Sequence, residues 1–273
     1  QKFKYFIMKC VKPNLFVLCL SLFFTYSIGA QDFQGRAEYV YKAKMNLGSW
    51  GAKMSQEQKK QIAARLKNRL EKTYILSFNK EESIYREFEK LDAMSGAADS
   101  WGKNFTPGHQ YKNVKTNSFV QNQELYGKRF LIKDELLKID WKMETETKQI
   151  GNYMCFKATA SVPSSELSWY NFSWGDLNED DSSEVKMTEV VAWYSPQIPV
   201  SQGPSEYWGL PGLILEVNVG TTTMLCSKII MNPDEKSEIE APKKGKEVTK
   251  NEYQEIIAGK MKEMRDNRGR RRG

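Results

Sequence analysis

Two stretches of this chain place apolar residues at every second position, and that period of two commits it to a sheet. From Phe33 to Met45, Phe33, Gly35, Ala37, Tyr39, Tyr41, Ala43 and Met45 fall on one side, with Gln34, Arg36, Glu38, Lys42 and Lys44 on the other. From Ile150 to Val162, the residues Met154, Phe156, Ala158, Ala160 and Val162 share a face. Successive side chains of a strand point to opposite faces, so both stretches read as half-buried strands with one wet side. That is the pattern of antiparallel sheets, since parallel strands are covered on both faces and lose the alternation.

The same reading places the other elements. A helix is predicted over 55–72, with Ser55 and Gln58 as a capping box and Ile62, Leu66 and Leu70 as a narrow stripe. A hairpin joins 73–78 to 83–88 across 79–82. Short strands are expected at 109–125, 129–133 and 137–143, the last because Leu137, Ile139, Trp141 and Met143 alternate. Residues 91–108 read as loop, and 163–183 as a protruding hairpin or loop. A strand over 185–194 and a hairpin of 213–217 with 221–230 follow. Thr249 and Glu252 cap a last helix with the apolar face Tyr253, Ile256, Ile257, Met261 and Met264. The expected fold is α+β: a strongly curved antiparallel sheet, an incomplete barrel, with two flanking helices.

The ends of the chain are different in kind. Lys2, Lys4, Lys9 and Lys12 precede an apolar run from Leu15 to Phe24, and Ser27-Ile28-Gly29-Ala30 supplies a small residue for cleavage. This reads as a secretory signal peptide over 1–30, since the apolar run falls short of the roughly 20 residues a bilayer span needs. A single domain over 31–264 and a disordered basic tail over 265–273 follow. No transmembrane span is expected once the leader is removed, and the protein is expected to be periplasmic or otherwise exported. The formal charge of +7 resides in the ends: 1–30 and 265–273 carry +4 each, leaving −1 for 31–264. A nearly neutral body is no nucleic-acid surface. Cys155 and Cys226 remain after the leader is gone. In an oxidising compartment they are candidates for a disulfide, provided their strands are neighbours.

Little here supports catalysis. His109 is the single histidine, which excludes a multi-histidine metal site, and it reads as an exposed loop residue. No nucleophile elbow and no phosphate-binding glycine motif occurs. Asp176, Asn178, Asp180, Ser182 and Glu184 place oxygens at alternate positions, but Asp181 stands where a calcium loop needs glycine and Met187 where it needs glutamate. A solvated acidic turn is expected. Hydrolysis by Asp180 and Glu184 is disfavoured because nothing in a hydrophilic turn raises one carboxyl's pKa. The expectation is no enzyme, no metal and no cofactor.

The run from Trp193 to Val217 holds Pro196, Pro199, Pro204 and Pro211 among Gly203, Gly209 and Gly212. Such a mix makes a stiff, irregular connection. Its core, Gly209-Leu210-Pro211-Gly212-Leu213-Ile214, resembles the signature of the GLPGLI family, envelope proteins of Bacteroidota-type bacteria with no settled activity. Asp140-Trp141-Lys142, Ile150-Gly151-Asn152-Tyr153, Cys155 and Lys157-Ala158-Thr159 extend the resemblance through the C-terminal half. The stretch 163–187 is longer than in that family. The resemblance implies an exported accessory or binding protein, associated with an outer-membrane protein or uptake system, whose ligand is a lipid, a peptide or a protein segment. Two roles are open for the run: a closure over the sheet's apolar face, or a binding surface built from Trp193, Tyr194, Tyr207 and Trp208. A purely structural interaction module is the alternative function.

Overall fold

The strand with the strictest alternation, β1 (Gly35–Ala43), lies near the middle of a single sheet of twelve. The computed structural model describes residues 33–44, 53–88, 107–167, 169–170 and 185–270. It divides the chain into Gln1–Phe33 and Gln34–Gly273, and all the elements below belong to the second unit. After β1 come α1 (Gln56–Leu70), β2 (Glu71–Phe78), β3 (Glu82–Glu87), β4 (Gln110–Asn113), β5 (Ser118–Leu125) and β6 (Lys128–Glu135). Then follow β7 (Lys142–Ile150), β8 (Tyr153–Pro163), the single-turn α2 (Ser164–Leu167), β9 (Met187–Ser195), β10 (Leu213–Val219), β11 (Thr222–Met231), β12 (Lys246–Val248) and α3 (Lys250–Arg270). The spatial order is β12-β6-β5-β4-β3-β2-β1-β11-β10-β9-β8-β7, so the sheet stays open, with β12 and β7 as its edges.

All pairings are antiparallel except β12 with β6. The register shifts at Glu38/Tyr39, between Ile214 and Glu216, and between Met143 and Thr147. Bulges of this kind bend and twist a strand, which is how an open sheet acquires curvature. Tracing the register shows one continuous inner face: Ala158, Ala192, Val217, Met224 and Tyr41 on one half, then Tyr74, Tyr85, Gln110, Gln121 and Ile132. The α+β incomplete barrel is the observed class, with three helices among the described residues in place of two.

Two clusters make the core. One joins Ala158, Val190, Tyr194, Tyr207, Leu210 and Val217 around β8–β10. The other packs Tyr253, Ile257 and Met261 of α3 on Phe119, Phe130 and Ile132 of β5 and β6. Both helix caps are as read from the sequence: Ser55 with Gln58, and Thr249 with Glu252. Helix α1 stops at Leu70 because Glu71 and Lys72 pair with Lys42 and Tyr41 in the sheet.

Three expectations are corrected. Leu137–Trp141 is no strand; Leu137, Ile139 and Trp141 alternate because an extended connection packs on the β8–β10 cluster. Strand β7 takes up Lys142–Ile150, and β8 therefore starts at Tyr153. Helix α3 continues to Arg270, so the basic end is helical up to that residue. The leader, most of 91–108 and the acidic turn at 176–184 lie outside the described residues.

Candidate functional site

The proline- and glycine-rich run folds back on itself between β9 and β10. Backbone amides of Gly209, Leu213 and Ile214 donate to the carbonyls of Ser201, Ile198 and Gln202 at 3.2, 2.9 and 3.0 Å. Two glycines are required by geometry. Gly209 has φ +92°, a left-handed conformation that side chains resist. A Cβ on Gly212 would lie 2.3 Å from the Ser195 carbonyl oxygen, so any side chain there displaces backbone.

Side chains from distant parts of the chain hold this turn down. Lys112 on β4 is wholly buried, and its ammonium donates to the carbonyls of Gly203, Ser205 and Tyr207 at 2.7, 2.7 and 3.0 Å. An ammonium has three donors, and all three are used. Burial pushes Lys112 down to about 7, and Glu206 acts in the opposite direction. Glu206 is buried between Lys250 at the start of α3, 2.5 Å away, and the Trp169 indole N–H, also 2.5 Å away. Trp208 donates its indole N–H to the Leu137 carbonyl at 2.7 Å, and Trp141 returns one to the Trp208 carbonyl at 2.8 Å. The turn is thereby tied to β4, to α3 and to the connection before β7.

The four aromatic residues proposed as one surface are dispersed. Tyr194 and Tyr207 are buried in the β8–β10 cluster, while Trp208 packs half-buried against the α3 cluster. Trp193 lies on the outer face under Lys148, whose ammonium is 4.3 Å from the ring centroid and 2.6 Å from Glu216. Of the signature residues Gly209, Leu210, Pro211, Gly212, Leu213 and Ile214, Leu210 and Ile214 pack in the β8–β10 cluster, Gly212 and Leu213 are also buried, and Gly209 and Pro211 are exposed. Cys155 and Cys226 are buried free thiols on β8 and β11, which β9 and β10 separate, so the neighbouring strands a bridge was expected to need are absent. Burial raises their pKa values to about 11 and about 12. His109 is exposed beside β4. Among the described residues no three His, Cys, Asp or Glu side chains converge on a point suited to a metal ion.

Sequence reasoning missed Lys112, Trp169, Glu206 and Lys250. The available signal was Glu206 itself, a lone carboxylate within an otherwise uncharged loop, which implies a buried cationic partner.

The second notable feature is the edge strand β7. Six of its nine residues are exposed, among them Met143 at 60 %. Glu144, Glu146 and Lys148 could guard such an edge, yet each reaches inward along the outer face. They contact Thr159, Lys157 and Glu216 at 2.9, 2.7 and 2.6 Å. One flank of the β7 backbone carries no strand among the described residues.

A family model described as "Protein of unknown function (Porph_ging)" matches residues 141–216, which run from the entry of β7 through the turn into β10. This Bacteroidota-associated family of unknown function covers the stretch that carries the GLPGLI resemblance. No curated protein matches the chain. Among solved structures, two crystal forms of PNGF-II are similar at 17 % identity. The C2 form has a TM-score of 0.48 over 82 % of this chain and 32 % of that one; the P21 form has 0.49 over 82 % and 33 %. The chain thus spans about one third of the length of PNGF-II.

Proposed function

We propose that this chain is an exported accessory protein of the bacterial envelope that binds a protein partner by accepting a strand of it along β7. The observation that carries this reading is the edge itself: nine residues long, mostly exposed, with three of its four charged side chains, Glu144, Glu146 and Lys148, engaged by residues of β8 and β10 on the outer face. An extended segment docking there would complete main-chain hydrogen bonds, and side chains such as Met143 would supply adaptable contact. The leader-like N-terminus and the GLPGLI resemblance support export and an outer-membrane protein or uptake system as the partner. On this reading the protein is no enzyme and uses no cofactor. The signature turn is a closure: it occupies the inner face that a lipid or peptide ligand would otherwise enter, which favours a protein partner over a hydrophobic ligand.

The test is capture from an outer-membrane fraction, followed by reconstitution with the purified captured protein. Thr145→Pro is the diagnostic variant, because 144–146 lie in the bulge where β8 offers no paired residue. An integral outer-membrane protein bound by the wild type and lost by Thr145→Pro, at unchanged melting temperature, supports the reading. Equal capture by both proteins, or none by either, defeats it.

A further inference from the structure

Eight lysines among the described residues lie within 2.8 Å of a glutamate oxygen. Five others without such a partner gather in one place. Between α1 and the ends of β1 and β11 lies an open groove of about 720 Å³, bordered by Lys42, Lys44, Lys59, Lys60 and Lys67 against a single carboxylate, Glu71. None of the five ammonium groups has a hydrogen bond or ion pair among the described residues, and Lys42, Lys44, Lys60 and Lys67 are exposed. Five like charges around one concavity repel each other, and an anion between them would relieve that repulsion. The floor between the lysines is apolar, supplied by Ala43, Ala63 and Leu70. A soluble anion has no use for such a floor, whereas a lipid has a phosphate for the rim and a chain for the base.

We infer that this groove is a binding site for the headgroup of an anionic phospholipid and holds one face of the protein at a bilayer surface. The site is separate from β7 and from the signature turn, so it stands whether or not the partner reading does. A lysine rim of this kind attracts anionic membranes through each charge, with a strength that falls as salt screens it.

The experiment is vesicle co-sedimentation of the purified full chain, comparing phosphatidylglycerol-containing vesicles with pure phosphatidylcholine. Binding to the first, weakening from about 0.05 to about 0.3 M salt, is expected, with none to the second. Neutralising Lys59, Lys60 and Lys67 together to Gln should weaken binding on the order of 100-fold, from the usual contribution of a lysine near an anionic surface. Two controls carry the same change in charge. One neutralises the ion-paired Lys115, Lys133 and Lys243, and the other the terminal Arg270, Arg271 and Arg272. Binding that survives both controls and fails in the groove variant supports the site. Equal loss in either control, an unaffected groove variant, or binding to phosphatidylcholine overturns it. Full displacement by millimolar glycerol phosphate also overturns it, because that result assigns the groove to a free phosphate ester.

Discussion

The two ends of the sheet are built by opposite rules. At the β12 end the edge is three residues long and runs directly into α3, whose apolar face seals β5 and β6. A buried Glu206–Lys250 pair and the Lys112 ammonium tie the signature turn to that end. At the β7 end the edge is nine residues long, its side chains are mostly exposed, and no helix among the described residues packs against it. On the proposed function the difference separates two tasks: the sealed end holds the fold, and the open end accepts the partner.

The sharpest way to break this comparison is Glu206→Ala. It leaves Lys250 buried without its anion, and the expected loss is about 3–5 kcal/mol in chemical denaturation. A loss below about 1 kcal/mol would mean that the sealed end is not held as described. Trp208→Ala should cost about 2–4 kcal/mol, since it removes a half-buried aromatic group and the hydrogen bond to Leu137. Lost binding at unchanged stability would instead make the turn a contact surface.

Lys112 gives a pH signature. Its folded-state value of about 7 lies below the ordinary lysine value of 10.5, so between those limits the unfolded chain holds the proton more tightly. Stability from this group therefore rises with pH above about 7, by at most about 1.4 kcal/mol per pH unit. Measured from pH 7 to 9, the wild type should gain on Lys112→Met as pH increases; parallel curves would refute the shift. The smallest effect belongs to the open end: Thr145→Pro should alter stability by less than about 1 kcal/mol.

Legibility in the sequence follows the same division. β1 and β8 were readable because one face is buried and the other wet, so apolar residues alternate. β7 was not, because Lys142–Ile150 is an edge with mostly exposed side chains and has little apolar pattern to show. Leu137, Ile139 and Trp141 misled for the converse reason: they alternate to fill a core while the Leu137 carbonyl bonds an indole. The helix caps are local and were legible. The Lys112 and Lys250 contacts to the turn bridge separations of 91, 93, 95 and 44 residues, which no local pattern records. The aromatic residues of the signature run suggested a surface by their type, but strand alternation turns Trp193 outward and Tyr194 inward.

Hydrogen exchange along β7 and β6, in the free protein and with the captured partner, tests the central claim most directly. The account predicts fast exchange at the outward amides of β7, slow exchange at Phe130–Ile132 of β6, where β5 and β12 flank the strand, and new protection confined to β7 when the partner binds. Slow exchange of β7 in the free protein, or a bound partner that leaves β7 unprotected, would contradict it.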